Sequence, residues 1–186
     1  MALTESNMLP LGTRAPEFQL EDVTSNSLVS PPAPGEFPAT LIMFICNHCP
    51  YVVHVLPGLL ELCGEYAEKG VRIIAISSND AVRYPADAPE KMRELALQEH
   101  FGFPYCYDGS QEVARAYDAA CTPDFYVFDR NMQLAYRGRM DASRPGNGIP
   151  VTGSDLRLAL DAVLEEKEIS TVQYPSAGCN IKWKTD

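Results

Sequence analysis

Apolar residues arrive along this chain in two rhythms, and the change between them marks the elements. Residues 39–45 and 71–77 are nearly continuous apolar runs of strand length, the pattern of strands covered on both faces. Between them, Val52, Val55, Leu56, Leu59, Cys63 and Tyr66 recur at helical intervals. That spacing predicts a helix over 52–69 with one buried stripe. Pro57 should kink it and Gly70 ends it. Strand, helix and strand in this order make a β-α-β unit with parallel strands.

Ahead of this unit, a polar start gives way to short alternation at 18–20 and a Ser/Pro/Gly stretch at 25–38, read as an edge strand or hairpin with a turn-rich connection. After it, residues 79–89 carry Pro85 and Pro89 among polar side chains and are expected to form an exposed loop. A helix follows over 89–101, with Met92, Leu95, Ala96 and Leu97 on its apolar side. A short strand is expected at 103–107, then a short helix over 111–117 with Ser110 as its cap. Strands at 125–129 and 132–137, joined by a turn at Arg130-Asn131, must be antiparallel. Leu156, Ala159, Leu160, Val163 and Leu164 predict a last amphipathic helix over 155–167. The tail, 174–186, holds Cys179, Ile181 and Trp183 and should pack back on the body.

The 186 residues suit one domain, 1–186, and a hydrophobic share of 46% suits a buried core. A formal charge of −10 and a pI near 4.7 speak against nucleic acid and anionic membranes as partners. The N-terminus shows no basic segment followed by an apolar one, and no apolar run has the length of a membrane span. The expected location is cytoplasmic. There, six cysteines should be mostly reduced, and a C-x-x-C pair reads as catalytic or metal-binding.

That pair is Cys46-Asn47-His48-Cys49, followed by Pro50, at the junction of the first buried strand and the helix. A helix start favours thiolate over thiol, and a protonated His48 would add to that effect on Cys46. Cys46 is therefore expected to be a solvent-reachable nucleophile, anionic near neutrality. Cys49 lies close enough to close a disulfide ring with it, which gives a redox-active dithiol that needs no cofactor. Cys63 lies on the helix stripe and Cys106 between two tyrosines, so both are expected in the core. Cys121 precedes Thr122-Pro123 and is expected near the dithiol as an accessory thiol or a passive neighbour. Cys179 is expected to be exposed, with a resolving or intermolecular role open to it but no partner marked in the sequence, and Arg137, Arg139 and Arg144 are expected to form a solvated surface.

The order of elements resembles the thioredoxin fold: an α/β domain with a mixed central sheet, β-α-β then β-β-α, here with an N-terminal extension, a mid-chain insertion and a C-terminal tail. Closer still is a similarity to the thioredoxin-like proteins grouped beside the peroxiredoxins (the AhpC/TSA-like group). It is carried by Cys46-Asn47-His48-Cys49-Pro50-Tyr51, Ser78-Asn79-Asp80, Ala120-Cys121-Thr122-Pro123-Asp124, Gly138-Arg139-Met140-Asp141 and the run from Gly178 to Lys184. The resemblance implies that Pro123 is cis and faces the dithiol, with Thr122 and Pro123 docking a substrate strand by edge pairing. Asn47, His48 and Pro50 would tune the thiolate. It further implies a thiol–disulfide oxidoreductase with antioxidant associations. Its substrates would be disulfide-bearing proteins or small thiols, and its reductant a thioredoxin or glutathione system.

Two rivals remain. A peroxidase of this kind resembles enzymes with Thr or Ser three residues before the reactive cysteine; Met43 stands there and cannot donate a hydrogen bond. A non-enzymatic copper or zinc carrier would use Cys46, Cys49 and His48 or His54. The only distant histidine, His100, is placed at the end of another helix, and there is no second C-x-x-C.

Overall fold

The computed structural model describes residues 3–185. β1 (Leu3–Glu5) is followed by a small antiparallel hairpin, β2 (Leu20–Glu21) and β3 (Leu28–Val29). β4 (Ala39–Phe44), α1 (Pro50–Glu68) and β5 (Arg72–Ser77) form the β-α-β unit. A 3-10 turn at Pro85–Asp87 leads into α2 (Pro89–Gln98), and then come β6 (Tyr105–Tyr107), α3 (Glu112–Ala116) and β7 (Cys121–Thr122). β8 (Asp124–Asp129), β9 (Leu134–Gly138), α4 (Ser154–Leu164) and β10 (Ala177–Asn180) complete the order.

The main sheet runs β6-β5-β4-β8-β9. Its first three strands are parallel, while β8 is antiparallel to both β4 and β9. This is the thioredoxin-like arrangement. Alternation along β4 feeds two cores. Leu41, Met43 and Ile45 pack with Leu59 and Leu62 of α1 and Leu156 and Leu160 of α4. Ile42 and Phe44 pack on the other face with Ile74, Tyr117, Tyr126 and Phe128. Burying each large apolar side chain is worth about 1.5–3 kcal/mol. The strand end that delivers Cys46 is thus clamped from both faces.

No helix among the described residues is long and apolar enough to cross a membrane. The N-cap of α3 is Gln111, in the left-handed region at φ 64°, and not Ser110. Ser110 still contributes, its Oγ accepting the Glu112 N–H at 3.2 Å.

Three expectations are corrected. The 79–89 segment is an exposed loop only in its middle, at residues 82–86, while Asn79, Asp80 and Asp87 at its two ends are buried. Its polar groups point inward to fixed partners, which satisfies them away from water. Arg137 is 1% exposed and donates to the Asn7 carbonyl, so it belongs to the interior and not to a solvated arginine surface. Cys179 is buried, because β10 forms the middle strand of a second sheet, β1-β10-β7. The tail does pack back; its last residue, Asp186, lies outside the described residues.

Gly178 lets β10 approach β7. A Cβ there would sit inside the Thr122 carbonyl, and a backbone atom cannot swing aside as a flexible side-chain end does. Gly178→Ala is expected to cost about 1–3 kcal/mol, the usual penalty of overpacking. Denaturant unfolding measures it, and a midpoint equal to that of the wild type would show that the two strands separate freely.

Candidate active site

Cys46 stands just past β4, where Ile45 N–H still donates to the Ile76 carbonyl at 3.0 Å. Cys49 is the N-cap of α1, and Pro50 fills the first helical position, which needs no backbone donor. The Thr122–Pro123 peptide is cis and brings the end of β7 against both sulfurs. Cys46 Sγ lies 3.4 Å from Thr122 Oγ1, and Cys49 Sγ lies 3.2 Å from the Thr122 carbonyl oxygen. The two sulfurs also hydrogen-bond to each other.

One negative charge is shared by this pair. The bond from Cys46 draws Cys49 down, to about 4, against burial and with help from Cys179, the Val52 N–H and Thr122. The same bond pushes Cys46 well up, and burial and the Asp87 carboxylate push it further. The helix terminus reaches Cys49 through the Val52 N–H. Passing the proton from Cys46 to Cys49 gives the other arrangement, and Thr122 fits it: its hydroxyl can donate to a Cys46 thiolate while its carbonyl accepts from the Cys49 thiol. The expectation of a solvent-reachable Cys46 is not met in this state, since Cys46 is 1% and Cys49 0% exposed.

His48 and Asn47 are held by a residue that sequence reasoning missed. Asp87, fully buried, accepts from Asn47 N–H at 2.8 Å through Oδ1 and from Asn79 Nδ2 at 2.8 Å through Oδ2. His48 Nδ1 lies 2.6 Å from the same Oδ2. His48 also stacks on Tyr84, ring centroids 5.5 Å apart. The Asn47 side chain accepts from Tyr105 Oη at 3.1 Å. Nothing in the local pattern singles Asp87 out, because two of its three partners, Asn47 and His48, are about forty residues upstream; the Pro85–Asp87 turn is the device that aims it inward.

Donor atoms of Cys46, His48 and Asp87 converge within 4.8 Å, the one such group among the described residues. A metal there would have to displace the bonds that already occupy both Asp87 oxygens. His54 is elsewhere, its Nε2 2.7 Å from Ser143 Oγ, and His100 ends α2 in the left-handed region. Met43 is fully buried in β4, so no side-chain donor stands at the position before the dithiol.

Cys121 is fully buried beside this group, pushed up by burial and by Asp124, with Cys49 adding to the effect. Asp124, after Pro123, is raised to about 7 by burial against the opposing hydrogen bond from Tyr126. Cys63 and Cys106 lie in the core as expected, each pushed up to about 12 by burial.

The backbone edge expected to dock substrate is occupied. In β7–β10 pairing, Thr122 faces Cys179 and Cys121 faces Asn180. On the other side of Pro123, a shallow crevice is lined by Tyr51, Val55, Met140, Arg144 and Ser176.

The same architecture recurs along the whole chain in an uncharacterized conserved protein from Geobacillus kaustophilus, 54% identical, with a TM-score of 0.97 over 100% of this chain and 98% of that one. A hypothetical protein from Sinorhizobium meliloti 1021 is 47% identical, with a TM-score of 0.95 over 98% of this chain and 100% of that one. Thiol-disulfide oxidoreductase ResA of Halalkalibacterium halodurans is 26% identical over 124 residues, which span 66% of this chain and 65% of that protein. This chain thus matches less than two thirds of the length of that curated relative. Residues 11–137, which hold the dithiol, Asp87 and the cis-proline turn, match the AhpC/TSA family, and the chain belongs to it.

Proposed function

We propose that the chain is a thiol–disulfide oxidoreductase in which Cys46 attacks and Cys49 resolves. The observation that carries this reading is the convergence of both sulfurs on Thr122, one on its hydroxyl and one on its carbonyl. A buried thiolate pair with a proton to share is suited to exchange: one sulfur forms the mixed disulfide, and the other, already in contact, displaces the substrate thiolate. Asn47, His48 and Pro50 hold the turn that presents the pair. Because β10 covers the Thr122 edge, the substrate disulfide approaches along the Tyr51–Arg144 crevice beside Pro123 and not by strand addition.

Substrates on this reading are protein disulfides or low-molecular-weight disulfides, with a thioredoxin or glutathione system as reductant in the cytoplasm. Disulfide exchange is favoured over peroxide reduction because Met43 supplies no donor beside Cys46. The test is a redox titration with mass-resolved alkylation. A reversible Cys46–Cys49 disulfide in the wild type, with catalysed reduction of a disulfide-linked peptide by dithiothreitol, is expected. A dithiol that stays alkylatable at every potential would remove the reading.

A further inference from the structure

Cys179 is one of four buried thiols that the proposed cycle does not use, with Cys63, Cys106 and Cys121. It sits on β10 directly across from Thr122, the residue that both dithiol sulfurs touch, and it belongs to the same core cluster as Cys46 and Cys49. Opposed residues of an antiparallel pair put their side chains on one face, so its sulfur lies on the face of the Thr122 hydroxyl that meets Cys46 Sγ. Burial, and after it the Cys49 sulfur, pushes the Cys179 thiol up, while Cys179 helps to draw Cys49 down. β10 is held there from both sides, by β1 and by β7. Beyond it, the tail is tied down where Lys182 N–H donates to Asn79 Oδ1 at 2.8 Å and the Lys182 carbonyl accepts from Asp80 N–H at 2.8 Å. Asn79 in turn donates to Asp87. A third sulfur is therefore fixed at the resolving cysteine by the strand that fills the expected docking edge.

We infer that Cys179 is a second resolving thiol, so that the oxidised chain holds its disulfide in either of two exchangeable positions, Cys46–Cys49 or Cys49–Cys179. This inference deepens the oxidoreductase reading and rests on it. The step is an isomerisation. The Cys179 thiolate attacks Cys49 Sγ, the Cys49–Cys179 bond forms, and the Cys46–Cys49 bond breaks with its electron pair leaving on Cys46. The proton released by Cys179 is balanced by the one Cys46 takes up. No external oxidant is consumed. The outcome is a chain that remains oxidised overall yet carries Cys46 as a thiol or thiolate, while its tail strand is covalently fastened to the start of α1. Cys49 then cannot resolve an adduct on Cys46, so a substrate captured in this form stays bound until Cys179 is reduced.

The experiment uses the full chain, oxidised with glutathione disulfide, quenched in acid, alkylated and digested with trypsin without reduction. Cleavage after Arg14, Lys69, Lys167 and Lys182 places Cys46, Cys49 and the core thiol Cys63 on one peptide, 15–69, and Cys179 on another, 168–182, and fragment ions assign the bridged sulfurs. The wild type is expected to give both the internally bridged 15–69 peptide and a 15–69/168–182 cross-link. Cys46→Ser is expected to give the cross-link alone, and Cys179→Ala the internal bridge alone. Oxidation of Cys46→Ser that ends as glutathione on Cys49, with Cys179 fully alkylated, would overturn the inference. Should Cys46→Ser not fold, the wild type against Cys179→Ala still decides: a cross-link absent from the wild type also overturns it. Failure of the dithiol reading has a different signature, namely no internal bridge in either the wild type or Cys179→Ala.

Discussion

A Cys49→Ser chain is expected to stop turning over and to accumulate as a covalent adduct with its disulfide substrate, while Cys46→Ser reacts with substrate no faster than solvent thiols do. The asymmetry follows from division of labour in the exchange. Attack by Cys46 forms the mixed disulfide, and release needs a second sulfur in line with the first. A serine hydroxyl fits the space of Cys49 and can still donate to the Thr122 carbonyl, but it cannot displace a thiolate. The adduct should approach about one equivalent per chain, since the trapping step is stoichiometric. Intact-mass analysis after incubation with a disulfide-linked peptide reads it directly. If Cys46→Ser traps the peptide and Cys49→Ser does not, the roles are reversed and Cys49 is the attacking sulfur.

The frame of this molecule was legible because it is built from strong local patterns. β4 and β5 are apolar runs, α1 shows its stripe, and β8 and β9 are too close in sequence to be anything but an antiparallel pair. The dithiol was legible from spacing, and Thr122-Pro123 from its place before the hairpin together with the family resemblance. What escaped was polar burial. Asp87 lies between two alanines in a Pro-containing stretch, and its interior position is decided by His48, Asn47 and Asn79, none of them its neighbours. β10 escaped for a related reason. Ala177-Gly178-Cys179-Asn180 has no apolar alternation, and it is a strand because β1 and β7 offer it edges on both sides. The same misreading made Cys179 look exposed and left the substrate edge of β7 looking open. Local pattern reports which face is apolar, but long-range pairing decides which polar groups are taken inside.

Asp87→Asn is expected to change stability and reactivity together, and in opposite senses. On stability, the substitution keeps one acceptor for the Asn47 N–H but turns an amide donor toward Asn79 Nδ2 and His48 Nδ1, where two donors now meet. Leaving a buried donor without its acceptor costs about 1–3 kcal/mol, and the partial exposure of His48, 22%, lets water take up part of that loss. On reactivity, the carboxylate is one of the charges that push Cys46 up. Removing it makes a thiolate on Cys46 less costly, so the pH at which Cys46 becomes alkylatable should fall. Rates of iodoacetamide reaction at Cys46, resolved by peptide mass across pH, measure the second effect, and denaturant unfolding measures the first. A purely structural role for Asp87 would lower the unfolding midpoint and leave the alkylation profile where it was. A profile displaced to higher pH would mean that Asp87 acts chiefly by holding the Asn47-His48 turn in place, a loss that outweighs that of the carboxylate.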